Sequence, residues 1–332
     1  MFWHTSLLVA AAALGLAAQP AHRLYVCGAA SKGYVVGAKL PPSGLFTQDA
    51  GGQWRQLGFN HPSIAKLDYD RRDPRVLYLA AGNGCLRSRD AGRTWQLLTS
   101  WDVTELQDVA ADLHHPGTVF IALPDGIART TDDGRTWQRT QSGLDRKFTK
   151  TLRVDRAQPG HLLAGTESGL FASFDNGTTW QRTATAGPLM ITWLEQSPHH
   201  PGVWIAATQE TGVWRSADNG VTWQCLAGLP RDEVYYQVSF DPTTPGRLAV
   251  CSWQRGVRVS ADSGATFESR TAGLPSPQVW SVRFHPAHAG RLLAAVHEEA
   301  VYESNDAGRT WRPVGLDGWI VNQFAFVPEL RP

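Results

Sequence analysis

The sequence predicts an all-β protein, a seven-bladed β-propeller with four-stranded blades, and three observations lead to this fold class. An octet of the form Ser/Thr-x-Asp-x-Gly-x-Thr-Trp returns seven times in the 332 residues. Successive copies are separated by 41, 42, 43, 43, 44 and 44 residues, the length of one propeller blade. The segment before the first octet lacks one strand of a blade, and the segment after the last octet supplies a spare one.

Each octet has the composition of a tight turn between two strands. Asp and Ser/Thr side chains accept hydrogen bonds from nearby backbone N–H groups, and Gly adopts the positive φ that closes the turn. The final Trp opens the next strand and can wedge between neighbouring sheets. Recurrence in every repeat favours a structural role over calcium ligation or catalysis. The octet aspartates to which we assign that role are Asp49, Asp90, Asp132, Asp175, Asp218, Asp262 and Asp306.

One repeat is clearest between residues 231 and 270. Its β-rich runs are short and separated by Gly, Pro and Asp, which is typical of strands joined by turns. Val234 to Phe240 is predicted as the first strand, Arg247 to Ser252 as the second and Gly256 to Ser260 as the third. A fourth strand begins after the octet, at Thr266. Each repeat therefore predicts one blade.

The two ends of the chain predict how the ring closes. Leu24 to Gly28 and Gly44 to Thr47 provide a second and a third strand for the first blade, which has no first strand of its own. Trp319 to Val327 follows the last octet and has the pattern of a first strand. We expect the C-terminal strand to join the N-terminal blade, which leaves no free sheet edge.

The octet resembles the Asp-box, or bacterial neuraminidase repeat, and seven copies extend this resemblance over residues 22–332. In that family the box is a structural turn on the face of the propeller away from the ligand. The nearest shape is that of the photosystem II assembly and stability factor family, whose members are exported, seven-bladed and non-enzymatic. The resemblance implies one propeller domain. The chain departs from that family in its basic patch, which is not reproduced as such: the only local cluster of basic residues is Arg146, Lys147, Lys150 and Arg153.

Enzymes with such repeats differ from this chain in ways that the sequence shows. Sialidases have six blades and an Arg-Ile-Pro element, which is absent here, and sortilin-type receptors have ten blades. Xyloglucanase-like glycosidases place their acid and base between two seven-bladed domains. A hydrolase needs two carboxylates roughly 5 to 10 Å apart, and the sequence alone pairs none, so we assign no catalytic residue. Acidic side chains expected on the ligand face are Glu105, Glu167, Glu210, Glu233 and Glu298.

In the propellers that this chain resembles, the ligand face carries the loops between second and third strands and the loops that enter each first strand, so the resemblance implies that the binding face lies there. Counting back five residues from the end of each first strand gives a chemically mixed ring around the expected channel mouth: Ala65, Gln107, Lys150, Thr192, Tyr236, Trp280 and Asn322. Aromatic residues with carboxylates and amides suit a protein anchor or sugar stacking, although packing between blades is an alternative for each Tyr or Trp. The predicted binding residues are Trp101, Lys150, Trp193, Tyr235, Tyr236, Trp253, Trp280 and Trp319.

One loop of the first blade is longer than its counterparts. Ala29 to Ser43, with Lys32, Tyr34 and Lys39, replaces the few residues found elsewhere. Long loops in compact domains are often functional.

The N-terminal segment predicts export. Leu7 to Ala18 is an apolar run of 12 residues, too short for a bilayer, which takes about 20. Small residues follow it, so residues 1–21 are predicted to be a secretory signal peptide, although the first five residues contain no Lys or Arg. We expect no transmembrane segment after its removal and a periplasmic or extracellular location.

Charge and cysteine content narrow the possible partners. The formal net charge is +1 without long runs of either sign, so nucleic acid is not an expected partner.

Cys27 and Cys251 align with small second-strand residues, and Cys85 aligns with a third-strand packing position. Buried filling of the core is therefore the expected role of these thiols. The cysteine spacings match no zinc motif, and we expect neither a metal nor a cofactor.

The sequence favours an exported, monomeric and non-enzymatic platform. It would hold a protein partner of the cell envelope on the loop face around the central channel. The alternative is a polysaccharide-binding protein or a divergent glycoside hydrolase of the sialidase or xyloglucanase type.

Overall fold

The computed structural model describes residues 21–33, 35, 41–49, 51–61, 63–184 and 190–330. These residues form seven antiparallel sheets of four strands each. The all-β, seven-bladed prediction is confirmed. The predicted signal peptide and the loop residues Tyr34 and Lys39 lie outside the described residues, apart from residue 21.

The first blade combines the two ends of the chain. Its strands are β1 (His22–Ala30), β2 (Ser43–Gln48), β3 (Trp54–Leu57) and β28 (Trp319–Pro328). The strands of the second blade are β4 (Ile64–Asp70), β5 (Asp73–Ala81), β6 (Gly84–Ser88) and β7 (Gln96–Leu97). The strands of the third blade are β8 (Asp108–Ala111), β9 (Val119–Leu123), β10 (Gly126–Thr130) and β11 (Gln138–Arg139).

Each of the remaining four blades is formed by four consecutive strands. The strands of the fourth blade are β12 (Thr149–Val154), β13 (Leu162–Thr166), β14 (Leu170–Ser173) and β15 (Gln181–Arg182). Those of the fifth are β16 (Ile191–Gln196), β17 (Trp204–Thr208), β18 (Val213–Ser216) and β19 (Gln224–Cys225). Those of the sixth are β20 (Tyr235–Phe240), β21 (Leu248–Ser252), β22 (Gly256–Ser260) and β23 (Glu268–Ser269). Those of the seventh are β24 (Val279–Phe284), β25 (Leu292–Val296), β26 (Val301–Ser304) and β27 (Arg312–Pro313).

Ring closure occurs as the sequence predicts. β28 pairs with β1 in antiparallel register, with Leu24 opposite Phe326. In addition to the backbone bonds of this ladder, the side chain of Arg23 donates to the Glu329 carboxylate at 2.9 Å. The C-terminal strand is therefore the first strand of the N-terminal blade, and it supplies the hydrogen bonds that β1 would otherwise leave open.

The octets form the turns between third and fourth strands. In the third blade, the backbone N–H of Thr136 donates to Oδ1 of Asp132 at 2.9 Å, and the Thr136 hydroxyl donates to Oδ2 at 2.7 Å. These bonds, with one from Thr130, lower the pKa of Asp132 to about 2. In the first octet Gln53 replaces Thr, and Oδ2 of Asp49 instead accepts from Arg55 at 2.7 Å. Each turn thus engages its own carboxylate.

Most of the octet tryptophans link the blades. The indole N–H of Trp137 donates to the Leu98 carbonyl of the preceding blade at 3.0 Å, and Trp180 donates to the Thr140 carbonyl at 2.7 Å. Trp54 makes the equivalent bond across the closure, to Val314 at 2.8 Å. Trp311 also bonds to the preceding blade, at the Arg270 carbonyl at 2.8 Å, whereas Trp95 and Trp223 donate within their own octets. Four of the six octet tryptophans therefore fix their blade to the preceding one at the periphery.

Apolar clusters fill the spaces between neighbouring blades, and three of the cysteines belong to them. Cys27, Cys85 and Cys251 are fully buried and form no disulfide. Burial raises the pKa of the Cys85 thiol to about 12. The prediction that these thiols fill the core is confirmed.

Backbone hydrogen bonds between turns define two faces of the ring. We call one of them the loop face. There the hairpin between the second and third strands forms a backbone hydrogen bond with the segment that enters the first strand. An example is Gln209, whose N–H donates to the Met190 carbonyl at 2.9 Å. On the opposite octet face, the octets of the third to seventh blades bond to the turn between first and second strands, and the second octet bonds to Arg75 near the start of β5. An example is Asp133, which donates to the Gly117 carbonyl at 2.9 Å.

Candidate functional site

The ring positions predicted from the sequence are backbone irregularities. In six blades the ring residue is the extra residue of a β-bulge in the first strand: Ala65, Lys150, Thr192, Tyr236, Trp280 and Asn322. In the third blade Gln107 immediately precedes β8 and donates its N–H to Ala122 at 2.9 Å. A bulge takes a residue out of the regular ladder and redirects its side chain. This accounts for the mixed chemistry of the ring.

All seven ring residues line one cavity at the loop-face end of the channel, which we call the mouth cavity. Its volume is about 460 Å³. Lys66, Trp193 and Gln237 also line it, each one position beyond a ring residue, and Met190 and Gln209 lie at its edge. The structure therefore brings together side chains from all seven blades.

Four rings form an aromatic cluster beside the mouth cavity: Tyr236, Trp253, Trp280 and His297. Trp280 stacks on Tyr236, with 4.4 Å between centroids and 23° between planes. His297 stacks on the Trp280 ring at 5.4 Å. Trp253 meets Trp280 edge to face at 6.0 Å and His297 at 5.0 Å. All four side chains are half-buried, so the cluster is packed on one side and open on the other.

His297 was not among the predicted binding residues. Its Nδ1 atom is buried and has no hydrogen-bond partner among the described residues. A buried polar atom without a partner is uncommon in folded proteins. The aromatic character of the hairpin loops was the available signal in the sequence.

The opposite side of the mouth cavity is polar. Nζ of Lys150 donates to Oε1 of Gln107 at 2.9 Å. Burial lowers the pKa of Lys150, while the negative charge of Asp108 acts in the other direction. Nδ2 of Asn322 donates to the Ile64 carbonyl at 2.8 Å. The ammonium of Lys150 and the amide of Gln107 therefore lie across the cavity from the aromatic cluster, whereas Asn322 lies in the blade next to that of Trp280.

A buried ion pair and an indole form the floor of the mouth cavity. Nζ of Lys66 donates to Oδ2 of Asp108 at 2.8 Å and lies 4.4 Å from the ring centroid of Trp193. Burial alone would raise the pKa of Asp108, but the positive charges of Arg153 and Lys66 hold it below its usual range. Burial lowers the pKa of Lys66, and Asp108 opposes that effect. The floor thus carries paired charges inside the channel.

The structure places three predicted aromatic residues inside the protein. Trp193 is 4% exposed and contributes to the floor. Tyr235 is fully buried and donates its hydroxyl to the Pro230 carbonyl at 3.0 Å. Trp319 is 6% exposed and packs edge to face on Phe46 at 4.6 Å. These rings pack within and between blades, the alternative that the sequence left open.

Trp101 has the opposite environment. It is 90% exposed in the loop between β7 and β8 and is not among the residues that line the mouth cavity. The predicted binding residues that line the mouth cavity are therefore Lys150, Trp193, Tyr236 and Trp280, and Trp253 lies beside it against Tyr236 and Trp280.

The five glutamates considered as catalytic candidates are dispersed. Glu233 is fully buried, and its Oε1 accepts from the backbone N–H of Gln254 at 2.7 Å. Glu105, Glu167 and Glu210 are exposed on three different blades, and Glu298 is half-buried. Among the described residues that line the mouth cavity, none is an aspartate or a glutamate.

A second, smaller cavity lies below the floor, at the octet-face end of the channel, and we call it the arginine cavity. Its volume is about 170 Å³. Trp193 and Asp108 line it from above, and its other charged lining residues are Asp68, Arg71, Arg153, Arg156, Glu195 and Arg283. The four arginines come from the first strands of three blades or the turns that follow them: Arg71 in the second blade, Arg153 and Arg156 in the fourth, and Arg283 in the seventh. No single local motif in the sequence therefore indicates this cluster.

Comparison with known proteins shows likeness in fold. The family model described as Sortilin, neurotensin receptor 3 (Sortilin-Vps10) matches residues 211–326, about a third of the chain. No curated protein matches the sequence. The described part of the chain contains no helix long and apolar enough to span a bilayer.

Three solved structures are similar over most of this chain. A GH74 enzyme of Niastella koreensis has a TM-score of 0.72 and 17% identity, over 87% of this chain and 52% of that one. YCF48 bound to D1 peptide has a TM-score of 0.60 and 18% identity, over 78% of this chain and 82% of that one. The extracellular domain of a putative one component system from B. thetaiotaomicron has a TM-score of 0.61 and 15% identity, over 83% of this chain and 37% of that one. The chain spans about half the length of the GH74 enzyme, and at these identities the likeness is one of fold.

Proposed function

We propose that the chain is an exported, non-enzymatic binding platform that holds a segment of a partner protein in the mouth cavity. The observation that carries this proposal is the convergence of all seven ring positions on one cavity of about 460 Å³. Six of these positions are bulge residues, whose side chains are released from the regular ladder. Ligand sites commonly combine an apolar wall with a few placed polar groups.

The chemistry of the walls suits a polypeptide. Gln107, Gln209 and Asn322 present amides to the cavity, which can both donate to and accept from a peptide backbone. Lys150 offers a cation for an acidic group, while the aromatic cluster offers a large rigid surface for an apolar side chain. Aromatic anchors of this kind dominate many protein interfaces.

Two comparisons support this reading. YCF48, which has a D1 peptide bound in the solved structure, shares the fold over 78% of this chain. The extracellular domain of the B. thetaiotaomicron protein shares it over 83%. Together with the apolar N-terminal run, they favour a partner in the cell envelope.

Polysaccharide binding is the second candidate. The GH74 enzyme has the highest of the three TM-scores, and half-buried rings such as Trp253 and Trp280 can stack on sugars. Hydrolysis is less favoured than binding. The described residues that line the mouth cavity include no carboxylate, and glycosidases use a pair of them.

Affinity capture from a native cell-envelope fraction tests the proposal. The bait is residues 22–332, compared with a Tyr236→Ala/Trp280→Ala variant and with Trp101→Ala as a matched control, because Trp101 is exposed but lies outside the cavity. A protein retained by the parent and the control but lost by the double variant supports the platform. Equal retention by all three baits contradicts it, and retention of polysaccharide without protein favours the second candidate. Circular dichroism spectra verify that the variants are folded.

A further inference from the structure

We propose that the arginine cavity binds a compact oxyanion of phosphate or sulfate size. This second site lies on the octet face and is independent of the partner site proposed at the mouth cavity. The ligand would be the free anion or the end group of a larger molecule that carries the same chemistry.

The charges that line the arginine cavity do not balance. Four guanidinium groups, of Arg71, Arg153, Arg156 and Arg283, face three carboxylates, of Asp68, Asp108 and Glu195. Lys66 lies above the cavity, where its Nζ donates to Asp108 at 2.8 Å. The cavity therefore has an excess of positive charge at the octet-face end of the channel, where Arg71 and Arg156 are exposed and Arg153 and Arg283 are half-buried.

Each carboxylate is already engaged by the protein. Glu195 accepts from Nη1 of Arg283 at 2.6 and 2.8 Å and from the indole N–H of Trp193 at 3.1 Å. Asp108 is bound by Lys66 and by Arg153 at 2.7 Å. Asp68 pairs with Arg71 and accepts from the Ala111 N–H at 2.9 Å. Little capacity is left on these oxygens for another cation.

Arg156 is positioned without a carboxylate partner. Its Nε donates to Oε1 of Gln196 at 3.2 Å, and its Nη2 donates to the Gln196 carbonyl at 3.1 Å and to the Ser197 carbonyl. Within the described part of the chain, nothing accepts from Nη1 of Arg156, and no carboxylate lies within ion-pair distance. The guanidinium is thus held in place by neutral groups and keeps donors for a ligand.

The neighbouring arginines make the environment of Arg156 still more favourable to an anion. Desolvation, followed by the positive charges of Arg283 and Arg71, lowers the pKa of Arg156, and Glu195 opposes these effects. A guanidinium does not deprotonate in proteins. The repulsion among the three arginines is therefore relieved by binding an anion rather than by losing a proton.

Cavity size and donor geometry indicate the class of anion. A volume of about 170 Å³ is sufficient for a tetrahedral oxyanion. Guanidinium groups form bidentate bonds to phosphate and sulfate oxygens. The floor formed by Lys66, Asp108 and Trp193 separates this cavity from the mouth cavity, so a ligand here would not occupy the partner site.

Isothermal titration of the full chain with inorganic phosphate and with sodium sulfate, at constant ionic strength set by chloride, tests the proposal. We expect saturable binding of both anions to the parent and about tenfold weaker binding to Arg156→Gln, because one charge-assisted contact is lost. Arg309→Gln is the matched control, since Arg309 is exposed on the same face outside the cavity and its substitution removes the same charge. It should bind as the parent does.

Three outcomes overturn the proposal: no saturable binding to the parent, equal weakening in Arg156→Gln and Arg309→Gln, or binding of acetate in preference to both tetrahedral anions. An Arg156→Lys variant keeps the charge but loses the planar donor pair, and we expect it to bind more weakly than the parent. Thermal melting of each variant without anion establishes that it is folded. Binding of a phosphate monoester to the parent would also support the site. It would show that the anion can be the end group of a larger molecule.

Discussion

Trp280 and Tyr236 stack face to face at 4.4 Å, although they belong to adjacent blades and lie 44 positions apart in the sequence. Both are bulge residues at the same position of their first strands. The stack therefore depends on two equivalent irregularities of the backbone, and it places an interblade contact at the edge of the mouth cavity.

A double-mutant cycle on Tyr236→Ala and Trp280→Ala measures that contact. We expect a coupling free energy of about 0.5 to 1.5 kcal/mol in urea unfolding, the range found for aromatic pairs. The pair Tyr236→Ala and Trp101→Ala provides the comparison, because these two rings do not touch and their effects should add. Additive effects in both cycles would contradict the stacking.

The buried pair in the floor makes a second prediction. Asp108→Ala leaves Lys66 and Arg153 without their shared carboxylate, and we expect it to reduce the free energy of unfolding by about 3 to 5 kcal/mol. The variant Lys66→Met/Asp108→Leu removes both charges of the pair and should be more stable than Asp108→Ala. Chemical denaturation of the three proteins distinguishes these cases. If the double variant is the less stable one, the account of the floor is wrong.

Acid should weaken the octet turns. Hydrogen bonds from the turn, with the Thr side chain first, lower the pKa of Asp132 and of Asp262 to about 2. An unfolded Asp has a pKa of about 3.9, so each carboxylate contributes its full stabilisation above that value. The contribution is lost as the pH falls through about 2.

Urea unfolding at a series of pH values tests this dependence with Asp132→Asn/Asp262→Asn. The variant should be less stable than the parent near neutral pH, and the difference should shrink in acid because the parent loses its charged carboxylates there. Asp317→Asn, which changes an exposed aspartate outside the octets, serves as the reference. A difference that stays constant with pH would argue against these bonds.

Removal of the closing strand provides a fourth prediction. A chain that ends at residue 318 loses β28, the first strand of the N-terminal blade, and we expect it to lose the cooperative thermal transition of the parent. A chain that ends at residue 329 keeps β28 and the contact between Arg23 and Glu329, so it should melt as the parent does. Similar melting of both truncated chains would contradict the closure.

The sequence was sufficient for the fold because the information is repeated. The period gives the size of a blade, and the surplus strand at one end matches the deficit at the other. Even the ring positions could be found by counting from strand ends, since five of the seven first strands end four residues beyond the ring position and the other two, β4 and β28, end one or two residues later. Their cause could not be found in this way, because a bulge is a property of the pairing between two strands.

The candidate site was less predictable. Tyr235 and Tyr236 are neighbours in the sequence, yet Tyr235 is fully buried and Tyr236 lines the mouth cavity. Composition cannot distinguish them, because strand direction and the bulge decide which ring turns toward the channel. The arginine cavity was missed for a related reason: Arg71 and Arg283 meet through the closed ring, and no spacing in the sequence records that distance.

Closure by β28 also has a kinetic consequence. Arg23, which lies in β1, and Glu329, which follows β28, are 306 positions apart, so this blade cannot form until nearly the whole chain is available. Contacts of such long sequence separation slow folding. During that interval β1 has an unpaired edge, which is open to association with other chains. We therefore expect newly made chains to be most prone to aggregation just before the ring closes, and to need a low protein concentration or a chaperone at that step.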